Sequence, residues 1–318
     1  MIKESLRGKK IAITGSTGFL GTALVELLLR EIDDIQLRLL IRPSGKRSAS
    51  KRLERDILRN DAFDQLREAL GAEGFDNLTV KAVEALSADI SLDNLGLDDA
   101  GLQELSECDI VIHSAAAVSF DEPLDRAAEV NLMGPVRLVE TLQSLDVKPH
   151  LVMVSTCYVA GNRKGTAHEK PLSQSPFYVP LNWREETEAA RRTRSYTEDD
   201  SRRSENLEKF RAEAKSELGA PGISLIATKT EQIRERWVKD KMVEAGRERA
   251  TSLGFPDAYA FTKAMAEQAV QEVCGDIPLS IVRPSIIESS WGEPKSGWIR
   301  GFRTVSYTHL TLPTTRHV

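Results

Sequence analysis

Cysteine is scarce in this 318-residue sequence: Cys108, Cys157 and Cys274 are the only three. They lie far apart and follow no metal-ligand spacing, which excludes a disulfide framework, argues against a bound metal and suits a reducing cytosol. Long apolar runs are missing as well. No stretch approaches the roughly 20 apolar residues of a membrane span. The opening MIKESLRGKK is polar where a secretory signal would be apolar. A soluble, cytoplasmic protein is expected. There is no excess of positive charge: a formal net charge of −5 offers no overall attraction to nucleic acid. Internal repeats are lacking too, and the length suffices for a sizeable core without staples.

What is present begins with ITGSTGFLG, Ile13 to Gly21, between a short apolar run and the helical pattern TALVELLLR. A glycine-rich turn from strand to helix points backbone N–H groups at the positive end of the helix, where an anion such as pyrophosphate binds. The spacing is G-x-x-G-x-x-G (Gly15, Gly18, Gly21), and the Lys-Ser/Thr pair of a P-loop is missing. Both features favour a dinucleotide over a nucleoside triphosphate. Gly15, Ser16, Thr17, Gly18, Phe19, Leu20 and Gly21 are therefore the candidate cradle. The competing reading is a plain tight turn, and the loop alone does not decide.

Apolar runs alternate with helical stretches along the chain: KIAITG and a helix from about Gly21 to Arg30; QLRLLIR and SASKRLERDILRNDAFDQLREAL; LTVKAVEAL; CDIVIHSAA and AAEVNLMGPVRLVETLQSL; then HLVMVSTCYVAG. The alternation predicts an α/β fold with a doubly wound parallel sheet of the Rossmann type. Residues 1–172 are read as the NADP-binding core. Residues 173–250 are strongly charged yet carry apolar positions at i, i+3, i+4, which predicts a helical insertion or lid. Residues 251–304 are read as the catalytic and substrate-side segment. From Val305 the Thr-rich VSYTHLTLPTTRHV continues no earlier pattern and resembles an in-frame sequencing-adapter translation. A non-native tail, truncation near Thr304 and an incomplete substrate side are expected; a genuine edge strand is the alternative.

The second strand ends at Ile41, where an NAD-specific fold usually places an acid for the ribose 2′-hydroxyl, and the residue that follows is Arg42. Arg42, with Arg52 among the basic residues after it, suits a 2′-phosphate, so NADPH is the expected cofactor. Asp89 and Ile90 stand where such sheets meet the adenine, and Ala115 and Ala116 are small enough for the cofactor to lie close. The deciding element is Tyr259 and Lys263 in DAYAFTKAMAEQAV. At i, i+4 they share a helix face, so the ammonium can lower the phenol's pKa and make an acid–base pair. Ser155-Thr156, at the end of a parallel strand, adds a hydroxyl.

These segments, with HSAAAVSFDEPLDRAAEVNLMG (His113–Gly134) and IVRPSIIESSWGEPKSGW (Ile281–Trp298), make the chain resemble the fatty acyl-CoA reductases over about residues 8–304. These are an extended short-chain dehydrogenase/reductase group, also called male-sterility-type reductases. The resemblance implies that Tyr259 is the proton donor and Lys263 its partner and ribose ligand. Thr156 would orient the substrate carbonyl, with Ser155 as fallback. It further implies that Asn131 holds the lysine-linked proton relay and that Pro284 and Ser285 lie beside the nicotinamide. The insertion is longer than in most eukaryotic members and looks like the long bacterial type. The expected substrate is a long-chain fatty acyl-CoA, reduced with NADPH to aldehyde or alcohol. Peripheral membrane contact is left open for a longer chain, and nothing fixes the oligomeric state. A nucleotide-sugar epimerase or dehydratase and a carrier-bound thioester reductase share the fold and the acid–base pair. A dinucleotide sensor without chemistry would not need Tyr259 and Lys263.

Overall fold

The computed structural model describes residues 2–218 and 223–300. The suspect tail from Val305 lies outside the described residues. Six strands form a parallel sheet: β1 Lys10–Thr14, β2 Gln36–Ile41, β3 Val83–Ser87, β4 Ile110–His113, β5 His150–Val154 and β6 Leu279–Val282, in the order β3-β2-β1-β4-β5-β6. Ile13 of β1 pairs with Leu39 of β2 on one side and Ile112 of β4 on the other. Ile11, Ile13, Leu37, Leu39 and Ile41 are 1% exposed or less, as expected for strands covered on both faces. The strand order reverses between β1 and β4. In such sheets ligands bind beyond the strand C-termini at that switch point, and ITGSTGFLG leaves β1 there.

The helices are α1 Ile2–Leu6, α2 Phe19–Glu31, α3 Ala49–Arg52, α4 Asp64–Ala82, α5 Asp99–Ser106, α6 Leu124–Ala128, α7 Gly134–Ser144, α8 Trp183–Ser201, α9 Ser204–Leu218, α10 Ile223–Ser252 and α11 Ala258–Val273. LTVKAVEAL divides between two elements: LTVKA completes α4, and β3 begins only at Val83. Phe75, Thr79 and Ala82 are buried at helical spacing, and the Thr79 hydroxyl donates to Phe75 O at 3.0 Å. That packing overrides the strand preference of Thr and Val.

The chain folds as two compact units. One takes in the described residues of Met1–Ala115, Glu140–Val154 and Asp276–Val318, and the other takes in Ala116–Val139 and Ser155–Gly275. In the first, β1 and β2 pack with Val25, Leu28 and Leu29 of α2, with Phe63 and, from far along the chain, with Trp298. In the second, the charged segment forms α8, α9 and α10. Phe210, Ala214 and Ile233 make a small core there, and ion pairs tie the helices together. Arg234, 4% exposed, meets Glu198 at 2.7 Å and Glu231 at 2.6 Å. Arg194 of α8 grips Asp125 of α6 with two hydrogen bonds of 2.9 and 3.0 Å. Among the described residues, no helix is long and apolar enough to cross a membrane. Nor, among them, is any group of three or more His, Cys, Asp or Glu placed to hold a metal ion.

Candidate active site

In the first unit, two glycines of the loop are required by close backbone approach. Gly15 has φ +75°, and a Cβ there would lie 2.6 Å from Ala115 N; a Cβ on Gly21 would lie 2.3 Å from Gly15 O. Gly18 caps α2 without a side-chain hydrogen bond, and its N–H donates to Gly15 O at 2.9 Å. The Thr22 hydroxyl lies 2.8 Å from Gly18 O and 3.1 Å from Ser16 O, which draws these carbonyls back toward the helix. The N–H groups of the first turn have no intrahelical partner and gather at the positive end of α2. Ser16 is fully buried and its Oγ has no hydrogen-bond partner. An unsatisfied buried hydroxyl beside an uncapped helix N-terminus fits a bound pyrophosphate.

The other cofactor candidates of this unit follow successive strand ends. Arg42, after β2, is exposed and makes no ion pair among the described residues, while its carbonyl accepts from Arg52 Nη1 at 2.6 Å. Arg52 also binds Asp56 at 2.9 Å, so its charge is already partnered. After β3, Asp89 Oδ1 accepts from Ser91 N at 3.0 Å and from Ser91 Oγ at 2.7 Å, fixing a turn in which Ile90 is half-buried. Ala115 N donates to Thr14 Oγ1 at 3.2 Å. Pro284 and Ser285 follow β6, with Ser285 exposed.

The second unit holds the acid–base candidates. Asp257 starts α11 by accepting from Ala260 N at 2.8 Å; burial nevertheless raises its carboxyl above the ordinary range. Tyr259 is half-buried and edge-on to Phe120, with centroids 6.1 Å apart. Lys263 is 2% exposed. Burial pushes its ammonium down to about 8, against the upward pull of Glu267 one turn further along. Sequence reasoning passed over Glu267, although its spacing from Lys263 repeats that of Lys263 from Tyr259.

Ser155 and Thr156 are both buried, but differently employed. Thr156 Oγ1 accepts from Tyr158 N at 3.3 Å, which leaves its own proton to donate, whereas Ser155 Oγ has no partner. Asn131 sits in a π-helical segment, Glu129–Met133, an irregularity found often at functional sites. It accepts from Ala117 N at 2.8 Å and donates to Ala117 O at 3.0 Å and Thr262 Oγ1 at 3.1 Å. This π-segment and the turn Cys157–Ala160 after Thr156 both pack on α11. Ala116 opens the second unit, partly buried. Thr156, Asn131, Tyr259 and Lys263 are thus joined through one helix.

Sequence comparison gives fatty acyl-CoA reductase 2, chloroplastic, of Arabidopsis thaliana as 34% identical over 94% of this chain and 44% of its own length. The alcohol-forming fatty acyl-CoA reductase of Simmondsia chinensis is 33% identical over 96% of this chain and 56% of its own. The chain thus spans about half the length of the curated relatives it matches. Among solved structures, the terminal R domain from the myxalamid PKS-NRPS biosynthetic pathway aligns with a TM-score of 0.53 at 20% identity, over 88% of this chain and 50% of that one. The reductase (R) domain of a nonribosomal peptide synthetase from Mycobacterium tuberculosis gives 0.51 at 20% identity, over 89% and 49%. At that identity the likeness speaks for the fold. The male sterility protein family matches residues 13–317, nearly the whole sequence, and the chain belongs to that family.

Proposed function

We propose that this chain carries the reductase activity of an NADPH-dependent fatty acyl-CoA reductase, converting a long-chain acyl thioester to an aldehyde, and onward to an alcohol if a second equivalent is used. The observation that carries this reading is the buried ammonium of Lys263 one turn from the phenol of Tyr259 on α11. Bound NADPH supplies a hydride, and the protein supplies what the hydride acceptor needs. The first-turn N–H groups of α2 and Ser16 would hold the cofactor's pyrophosphate, and Arg42 would hold its 2′-phosphate. Thr156 donates a hydrogen bond to the thioester oxygen and orients the carbonyl. Tyr259 donates to the same oxygen as charge develops on it. Lys263 favours the phenolate left behind and would hydrogen-bond the nicotinamide ribose. The hydroxyl proton then returns to the Tyr259 phenolate as the oxygen gives its electrons back to carbon, the C–S bond breaks, and coenzyme A leaves as a thiolate that takes up that proton to become the thiol.

The test is to incubate the protein with palmitoyl-CoA and either NADPH or NADH and to identify products by mass spectrometry. Hexadecanal or hexadecanol formed with NADPH, with free coenzyme A in equal amount, supports the reading. Dinucleotide oxidation without thioester cleavage, or the absence of turnover in a longer family form as well, overturns it.

A further inference from the structure

Residues 290–300 lie far from the glycine loop in sequence, yet they are fastened to it. Trp298 is 3% exposed and stacks on Phe19, the first residue of α2, with centroids 5.0 Å apart and planes inclined by 18°. Its Nε1 donates to Asp61 at 2.8 Å, and Lys295 lies 3.1 Å from both Asp61 and Asp64. Glu293 pairs with Arg30 at the far end of α2. Arg300 donates to Thr22 Oγ1 and to Asp56 O, the latter at 2.6 Å. Thr22 is the residue whose hydroxyl reaches Ser16 O and Gly18 O. A hydrogen-bond path therefore runs from Arg300 into the loop carbonyls, and a ring stack bears on the residue after Gly18. The segment is also closed on itself, with Gly297 N donating to Ser290 O and Ser290 N to Trp298 O, each at 2.9 Å.

We propose that residues 290–300 are a clasp that sets dinucleotide affinity without touching the dinucleotide: Trp298 and Arg300 are positioning residues that hold Phe19, Thr22 and the loop in the anion-binding conformation. The proposal rests on the reading that this loop binds a dinucleotide. A loop whose N–H groups must converge on one anion loses affinity when its backbone samples other conformers, because the competent fraction divides into the dissociation constant. The stack and the Arg300–Thr22 contact restrict that sampling from outside the site.

The experiment is calorimetric titration of NADPH into the protein at a temperature well below its melting point. Trp298→Ala and Phe19→Ala are expected to raise Kd about tenfold each, and the double variant no more than either alone, since both break one stack. Trp298→Phe, which keeps a ring on Phe19, should return Kd to within threefold of wild type, and Arg300→Met should raise it about fivefold. If Trp298→Ala does not fold, Trp298→Phe, Phe19→Leu and Arg300→Met carry the test. Wild-type binding with unchanged Kd in the variants, or with strictly additive losses at Phe19 and Trp298, overturns the clasp and leaves the dinucleotide reading standing. Wild-type protein that binds neither NADPH nor NADH overturns both.

Discussion

The side-chain amide of Asn131 donates to the hydroxyl of Thr262 at 3.1 Å, with Asn131 1% exposed and Thr262 fully buried. Asn131 also satisfies both backbone groups of Ala117, so one side chain fixes the loop after β4 against the helix that carries Tyr259 and Lys263. Asn131→Ala would leave the partly buried N–H and C=O of Ala117 without these partners. A loss of about 2–4 kcal/mol is expected, the sum of such desolvation penalties. Urea denaturation measures it, and a loss below about 0.5 kcal/mol would mean that water or a shifted loop replaces the amide.

Replacing Tyr259 with Phe removes the proton and little volume. NADPH affinity should stay near wild type while turnover falls by roughly 10²–10⁴-fold, the usual contribution of a positioned acid. Titration and steady-state rates on the same preparation separate the two, and undiminished turnover would take Tyr259 out of the mechanism.

The depressed ammonium of Lys263 makes a prediction about pH. Burial holds its folded-state value at about 8, below its ordinary 10.5. Between these values the unfolded chain binds a proton that the folded chain lacks, so this group's contribution to stability rises with pH through that window. Activity should move the other way: as Lys263 loses its charge above about pH 8, turnover and cofactor affinity decline. In Lys263→Met both trends should vanish, as pH–rate profiles and denaturation at pH 7.5 and 10 would reveal. A wild-type alkaline limb that persists in the variant would reassign it to another group.

Arg42 is an exposed cation directly after β2, while Arg52 is engaged by Asp56. NADPH should therefore bind more tightly than NADH, and Arg42→Asp should abolish the preference by removing roughly 1–3 kcal/mol of charge-assisted contact. Equal affinity of the wild type for the two cofactors would remove Arg42 from the phosphate site.

The parallel doubly wound fold, the glycine loop and the Tyr259–Lys263 pair were legible in the sequence because each is a local pattern. Buried strands read as short apolar runs, a strand-to-helix turn reads as glycines, and a shared helix face reads as i, i+4 spacing. The LTVKA stretch misled because its β-branched residues favour a strand, and only its packing beside Phe75 makes it helical. What the tertiary structure alone decided involves partners far apart in the chain. Gly15 must be glycine because the backbone at Ser114 and Ala115 comes within 2.7 Å of where a Cβ would be. Asn131 finds Thr262, and Trp298 closes over Phe19 across most of the sequence. No periodicity encodes such pairings, since the closure that creates them is made by the sheet order and the crossover connections and becomes favourable only once the surrounding core is buried.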